Sequence, residues 1–128
     1  YKEIRHNEEV NELLKKGNWD VYVSAFVSAP TGDPEYFFTT HCMQDSSKNR
    51  GGYYSETLEK LEQQLSGEFD TEKRTELAIE MTQTLLDDHM FFFASHLKMS
   101  MVSGEGVTGL TAHPCDYYEI TVNLDKNK

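Results

Sequence analysis

The sequence predicts an α/β chain, a mixed sheet flanked by helices. Three observations carry that expectation. A strand–helix–strand unit occupies residues 1–26, two amphipathic helices fill the middle, and an alternating strand runs from Phe91 to Val102.

Lys2–Arg5 reads as the first strand. Asn7 is a good N-cap, and Glu8 and Glu9 follow where the helix dipole favours negative charge. Val10, Leu13 and Leu14 make one apolar stripe and Gly17 is a natural stop, so a short helix spans Asn7–Lys16. Asp20–Phe26 is the second strand, with Val21, Val23 and Ala25 alternating with Tyr22, Ser24 and Phe26. Two strands joined through a helix imply parallel pairing.

The chain then breaks into Ala29-Pro30-Thr31-Gly32-Asp33-Pro34, which continues neither strand nor helix. The aromatic run Tyr36-Phe37-Phe38 comes directly after it. A buried strand feeding a proline-locked loop, with aromatics and an acid beside it, is a common way to build the wall of a ligand pocket. Residues 39–54 read as a polar connection centred on Ser46-Ser47-Lys48-Asn49-Arg50-Gly51-Gly52, and a loop of that length is often functional or mobile.

Ser55 caps a second helix whose face is Leu58, Leu61 and Leu65, ended by Gly67. Asp70 opens a third helix with Leu77, Ala78, Met81 and Leu85 on one face, running out near Asp88. In the strand Phe91–Val102, Phe93, Leu97, Met99 and Met101 alternate with His96, Lys98 and Ser100, which predicts one buried and one open face. A turn follows over Gly104–Gly109, then a loop Leu110–Cys115, then a last strand Tyr117–Leu124. The charged tail Asp125–Lys128 is expected to fray.

At 128 residues the chain holds one domain. Charged residues at 27% and hydrophobic ones at 38% suit a soluble globular protein, and no apolar run approaches the roughly 20 residues of a membrane span. The opening Tyr1-Lys2-Glu3-Ile4-Arg5 resembles the middle of a strand, so residues 1–128 read as a mature segment or single excised fragment. A formal net charge of −10 argues against nucleic acid. The acid concentrates between Glu56 and Asp88, opposed there only by Lys60, Lys73 and Arg74, and reads as a solvated helix face. Cys42 and Cys115 are far apart in sequence and make no disulfide framework. They are compatible with a pair or with two free thiols, and free thiols are the expectation.

Among the histidines, His6 precedes a helix cap, His89 closes a helix where positive charge is favoured, and His96 lies on the open strand face. His41 and His113 are the candidates for chemistry. His41-Cys42-Met43 follows the aromatic run, and His113-Pro114-Cys115-Asp116 sits in a proline-fixed loop. Imidazole and thiolate suit borderline metals such as nickel, zinc and copper. Neither pair has closed-site spacing, so one histidine completing the sphere of an already chelated metal is favoured over a four-ligand site from His41, Cys42, His113 and Cys115. No third orienting group marks Cys42 as a nucleophile, no paired acids suggest a glycosidase, and no phosphate loop or dinucleotide fingerprint occurs.

An ordered set of landmarks resembles the C-terminal part of the extracytoplasmic solute-binding proteins that serve nickel, dipeptide and oligopeptide ABC importers. They are WDVYVSAF and the loop ending Gly32-Asp33-Pro34 before Tyr36-Phe37-Phe38; Gly52-Tyr53-Tyr54-Ser55 leading into a helix; DTEKRTELAIEMTQTLLDD; MFFFASHLKMSMVS; and Val107-Thr108-Gly109-Leu110 before the last strand. The set covers nearly the whole chain. The resemblance implies a piece of one lobe of a bilobed periplasmic-binding-protein-like fold of the dipeptide-binding type, with the other half of the site on polypeptide absent here. Peptide binders of this family carry an acid early in the proline-glycine loop for the peptide's amino group. Here that place is near Pro30-Thr31 and has no acid, while Asp33 belongs to the next turn and reads as a backbone brace.

That departure favours the nickel-type branch, and SAPTGDPEYFF with GLTAHPCDYYEIT is similar to that branch as well. The implied function is capture of nickel as a small-molecule chelate outside the membrane and delivery to the ABC permease, without enzymatic activity. The implied membrane attachment is an N-terminal anchor outside this chain. Ala29, Pro30, Thr31 and Tyr36 would line the ligand, and His41, or less readily His113, would reach the metal; Ser46 or Ser47 is the alternative equivalent of His41. The alternatives are a di- or oligopeptide binder of the same fold and a stand-alone acidic protein-interaction module docking through the helices.

Overall fold

The computed structural model describes residues 7–17, 19–98, 100–113 and 122–126. Four helices and one short strand pair occur along them: α1 (Asn7–Lys16), α2 (Glu35–His41), α3 (Glu56–Gly67), α4 (Thr71–Asp87), β1 (Val107–Thr108) and β2 (Asp125–Lys126).

The α3–α4 hairpin is the centre of the fold. Leu58, Leu61 and Leu65 recur at helical spacing and are almost wholly buried, as are Met81 and Leu85 on the facing side of α4. Both helices start on the caps that the sequence marks. The Ser55 hydroxyl accepts from the Leu58 N–H at 3.4 Å, and Asp70 Oδ1 accepts from the N–H groups of Glu72 and Lys73 at 3.1 and 3.0 Å. Between the helices the Glu68 carboxylate accepts from the N–H groups of Phe69 and Asp70, both at 2.9 Å, so the tight connection supplies its own partners.

α4 ends in a Schellman motif. The Met90 N–H donates to the Leu85 carbonyl at 3.0 Å and the His89 N–H to the Leu86 carbonyl at 3.1 Å. The residue in the left-handed position is His89, at φ 57°, where glycine is usual. Met90 thereby turns back onto the core.

The third core component is α2, and here the structure corrects the sequence. Thr39, Thr40 and His41, expected at the start of the polar connection, complete a helix whose body is Tyr36-Phe37-Phe38. Asp33 and Pro34 set its start: Asp33 Oδ1 accepts from the Glu35 N–H at 2.9 Å, and Pro34 adopts helical angles without needing an N–H. Burial of Phe37 and Phe38 against α3 and α4 outweighs the weak helix propensity of adjacent aromatics. The segment 42–54 is ordered by one side chain. Asn49 donates to the carbonyls of Met43 (3.2 Å) and Tyr53 (2.7 Å) and accepts from the Tyr53 N–H (3.0 Å).

The expected strands fare differently. Asp20–Phe26 and the described part of Phe91–Val102 form no strand. Period-two alternation selects an extended conformation, but a strand needs a neighbour's N–H and C=O groups, and none stands beside these segments among the described residues. Their apolar side chains are open to solvent, Val23 at 88% and Phe92 at 91%. The predicted strand Lys2–Arg5 and most of Tyr117–Leu124 lie outside the described residues. Pairing instead appears at Asp125–Lys126, part of the tail expected to fray, which joins Val107–Thr108 antiparallel (Val107 opposite Lys126, Thr108 opposite Asp125). Gly109 permits that approach: a Cβ there would sit 1.8 Å from the Asn123 carbonyl oxygen.

Replacing His89 by glycine should raise stability by about 0.5–1 kcal/mol, because relief of the left-handed strain exceeds the added freedom of the unfolded chain. Urea denaturation of wild type and His89→Gly measures it. A midpoint unchanged or lowered would mean that the His89 Nδ1 contact with the Asp87 carbonyl, 2.7 Å, outweighs the strain.

Candidate functional site

The turn between Asp20–Phe26 and α2 is built from a few fixed points. The Gly32 N–H donates to the Ala29 carbonyl at 2.9 Å, and Gly32 holds φ at +86°. Pro30 is buried, Ala29 is half-buried and Thr31 projects into solvent. Tyr36, on the first turn of α2, is also exposed. The structure thus presents Thr31 and Tyr36 outward on a backbone whose proline is packed.

The base of the turn is an aromatic cluster that the sequence did not announce. Phe26, from the first of these segments, stacks on Phe37 at 5.7 Å between centroids and on the His41 ring at 4.3 Å. Phe91 and Phe93, from the second, stack on each other at 5.8 Å, and both pack on Phe37. Stacked and edge-on pairs of this kind add about 0.5–1.5 kcal/mol each beyond area burial. Both unladdered segments therefore converge on the α2 face that carries His41.

His41 is half-buried. Burial lowers its pKa below the ordinary imidazole range, and the nearby positive charges of Lys48 and Arg50 lower it further. The neutral ring keeps a lone pair, the form a metal requires. Cys42 is its opposite. It is free, buried and 3.9 Å from the Phe37 carbonyl through Sγ, and burial pushes its thiol up to about 12. A thiol held that high is a poor nucleophile at neutral pH.

His113 is half-buried, and Pro114 and Cys115 beyond it lie outside the described residues. No cluster of three or more His, Cys, Asp or Glu side chains placed to hold a metal occurs among the described residues. Ser46, the alternative to His41, is engaged locally: its hydroxyl donates to the Thr40 carbonyl and accepts from the Lys48 N–H at 3.2 Å. A shallow depression of about 390 Å³ lies on the other side of the turn, between Pro34 and the outer face of α4 at Ala78, Ile79, Thr82 and Leu86.

Asp33 proves to be a bracing residue. Arg74 Nη2 donates to Asp33 Oδ1 and Oδ2 at 2.9 and 2.8 Å and to Glu35 Oε2 at 2.8 Å. The Glu35 N–H adds a third hydrogen bond to the carboxylate of Asp33, whose side chain stays 45% exposed. Arg74 was visible in the sequence only as one of three cations in an acidic stretch. Its partners are about forty residues upstream, and no local pattern points to them.

No protein-family model, curated protein or solved structure matches the chain.

The lowered pKa of His41 has a stability consequence. Relative to the free value of 6.5, the unfolded chain binds this proton more readily than the folded one. Stability should therefore fall as pH falls through 6.5 towards the folded value and be level above it. Urea unfolding of wild type and His41→Gln between about pH 5 and pH 8 isolates the contribution. The advantage of wild type should shrink on the acid side, and a pH-independent difference would contradict it.

Proposed function

We propose that the chain is part of one lobe of a bilobed solute-binding protein of an ABC importer, and that it captures nickel as a small-molecule chelate outside the membrane for delivery to a permease. Closure of two lobes around the solute would stabilise the delivering state. The observation that carries the choice of solute is the state of Asp33. The one acid of the turn is already paired with Arg74 and the Glu35 N–H, so a peptide's ammonium group would compete with a resident cation for it.

Two further features support this assignment. His41, at the other end of α2 from the turn, is half-exposed with its pKa lowered, and Lys48 and Arg50 add positive potential there. A bare dication is repelled by that potential, whereas a metal already wrapped by carboxylates is not. The two apolar segments whose rings pack on α2 form no strand among the described residues, as expected of one side of a shared cleft. The ordered landmarks from Trp19 to Leu110 supply the family resemblance. Among the described residues no helix is long and apolar enough to cross a membrane, and the proposed attachment is an anchor outside this chain.

The test is calorimetric titration of the natural full-length protein with nickel, with and without free histidine, and with di- and tripeptides. Binding should require nickel and strengthen with histidine. Thr31→Lys, which fills the mouth of the turn, should weaken it about tenfold or more, about 1.4 kcal/mol. Peptide binding without nickel binding would establish the peptide-transport alternative. No solute binding, with partner capture intact in Thr31→Lys, would indicate a helix-docking module.

A further inference from the structure

We propose that Arg74 is a positioning residue for the solute-binding turn, fixing where Thr31 and Tyr36 stand relative to the helical hairpin. The inference rests on the solute-binding assignment above and adds a residue that touches no solute. The turn has little rigidity of its own. Its internal hydrogen bond is Gly32 N–H to Ala29, and its next fixed point is Asp33.

Arg74 joins that point to the hairpin through a single planar group. Nη2 reaches Asp33 and Glu35, while Nη1 donates to the Leu65 carbonyl at 2.6 Å and the Glu68 carbonyl at 2.9 Å. Leu65 lies in the last turn of α3, and its carbonyl also accepts from the N–H of the capping Glu68 at 3.3 Å. The guanidinium therefore satisfies the end of one helix and the start of another, α2, at once. Its side chain is 18% exposed, in contrast to the open Lys60–Glu56 pair on α3.

The position of Arg74 is informative. It occupies the first turn of α4, where the helix dipole opposes a cation. A positive charge there needs compensation, and Asp33, Glu35 and the α3 carbonyls provide it. The planar fork is essential: a lysine ammonium supplies a point charge with three donors and cannot hold both the carboxylates and the two carbonyls in one plane.

A purely structural role would lower the stability of the ligand-free protein and leave the affinity of the folded protein unchanged. Positioning changes both. In the natural full-length protein, Arg74→Gln should weaken binding of the nickel–histidine complex about tenfold or more, measured well below the unfolding midpoint. It should also speed hydrogen exchange at the Gly32 and Glu35 amides. Arg74→Lys should restore part of the stability and little of the affinity.

Asp33→Asn, which leaves the Arg74 contacts with Leu65, Glu68 and Glu35 available, serves where Arg74→Gln does not fold, and should shift affinity in the same direction. Unchanged affinity in folded Arg74→Gln or Asp33→Asn would overturn the proposal while leaving the solute assignment standing. Wild-type protein that captures neither nickel complex nor peptide would overturn the solute assignment, and the proposal with it.

Discussion

The burial of three α3 leucines against Met81 and Leu85 of α4 is the contact on which the rest is assembled. Each such side chain contributes about 1.5–3 kcal/mol on leaving water. The contact is local in sequence, joined by a connection of a few residues that satisfies its own backbone. Everything else attaches to it. α2 lays Phe37 and Phe38 on the hairpin, Met90 folds back under it, and Tyr53 ties across to Asp88 through a 2.6 Å hydrogen bond. Without the hairpin α2 is seven residues long and has no means of persisting alone.

Polar interactions then place what the apolar ones hold. Arg74 takes up the acids at the start of α2 together with carbonyls at the end of α3, and Asn49 closes the following segment on itself. The result is a turn with a buried proline leading into a helix on which rings from three separate segments pack. Aromatic floor and charged brace act on opposite ends of α2, so the helix is the rigid element from which the turn hangs.

Much of the helical part was legible because caps and periodicity coincide there. Ser55 with the Leu58–Leu61–Leu65 face, and Asp70 with Met81 and Leu85, state the same two helices twice. α1 was readable for the same reason. α2 was not, because seven residues give too few periods, and its stability comes from packing that only the hairpin provides. The strand expectations failed at the opposite limit. Alternation in Asp20–Phe26 and Phe91–Val102 is one segment's half of a strand, and pairing belongs to two segments and cannot be written in one. Of the candidate site, the bend at Ala29–Pro34 was readable from its prolines and glycine. Arg74 and Phe26 were not, since their partners are distant in sequence and their roles are geometric.

The unladdered segments also bear on how the polypeptide behaves by itself. Val21, Val23, Phe92 and Leu97 stand in water on segments that no ladder occupies among the described residues. Such edges are templates for any second straight chain, including another copy. Residues 1–128 produced in isolation would accordingly cluster as their concentration rises, and recombinant work would succeed best with these edges occupied.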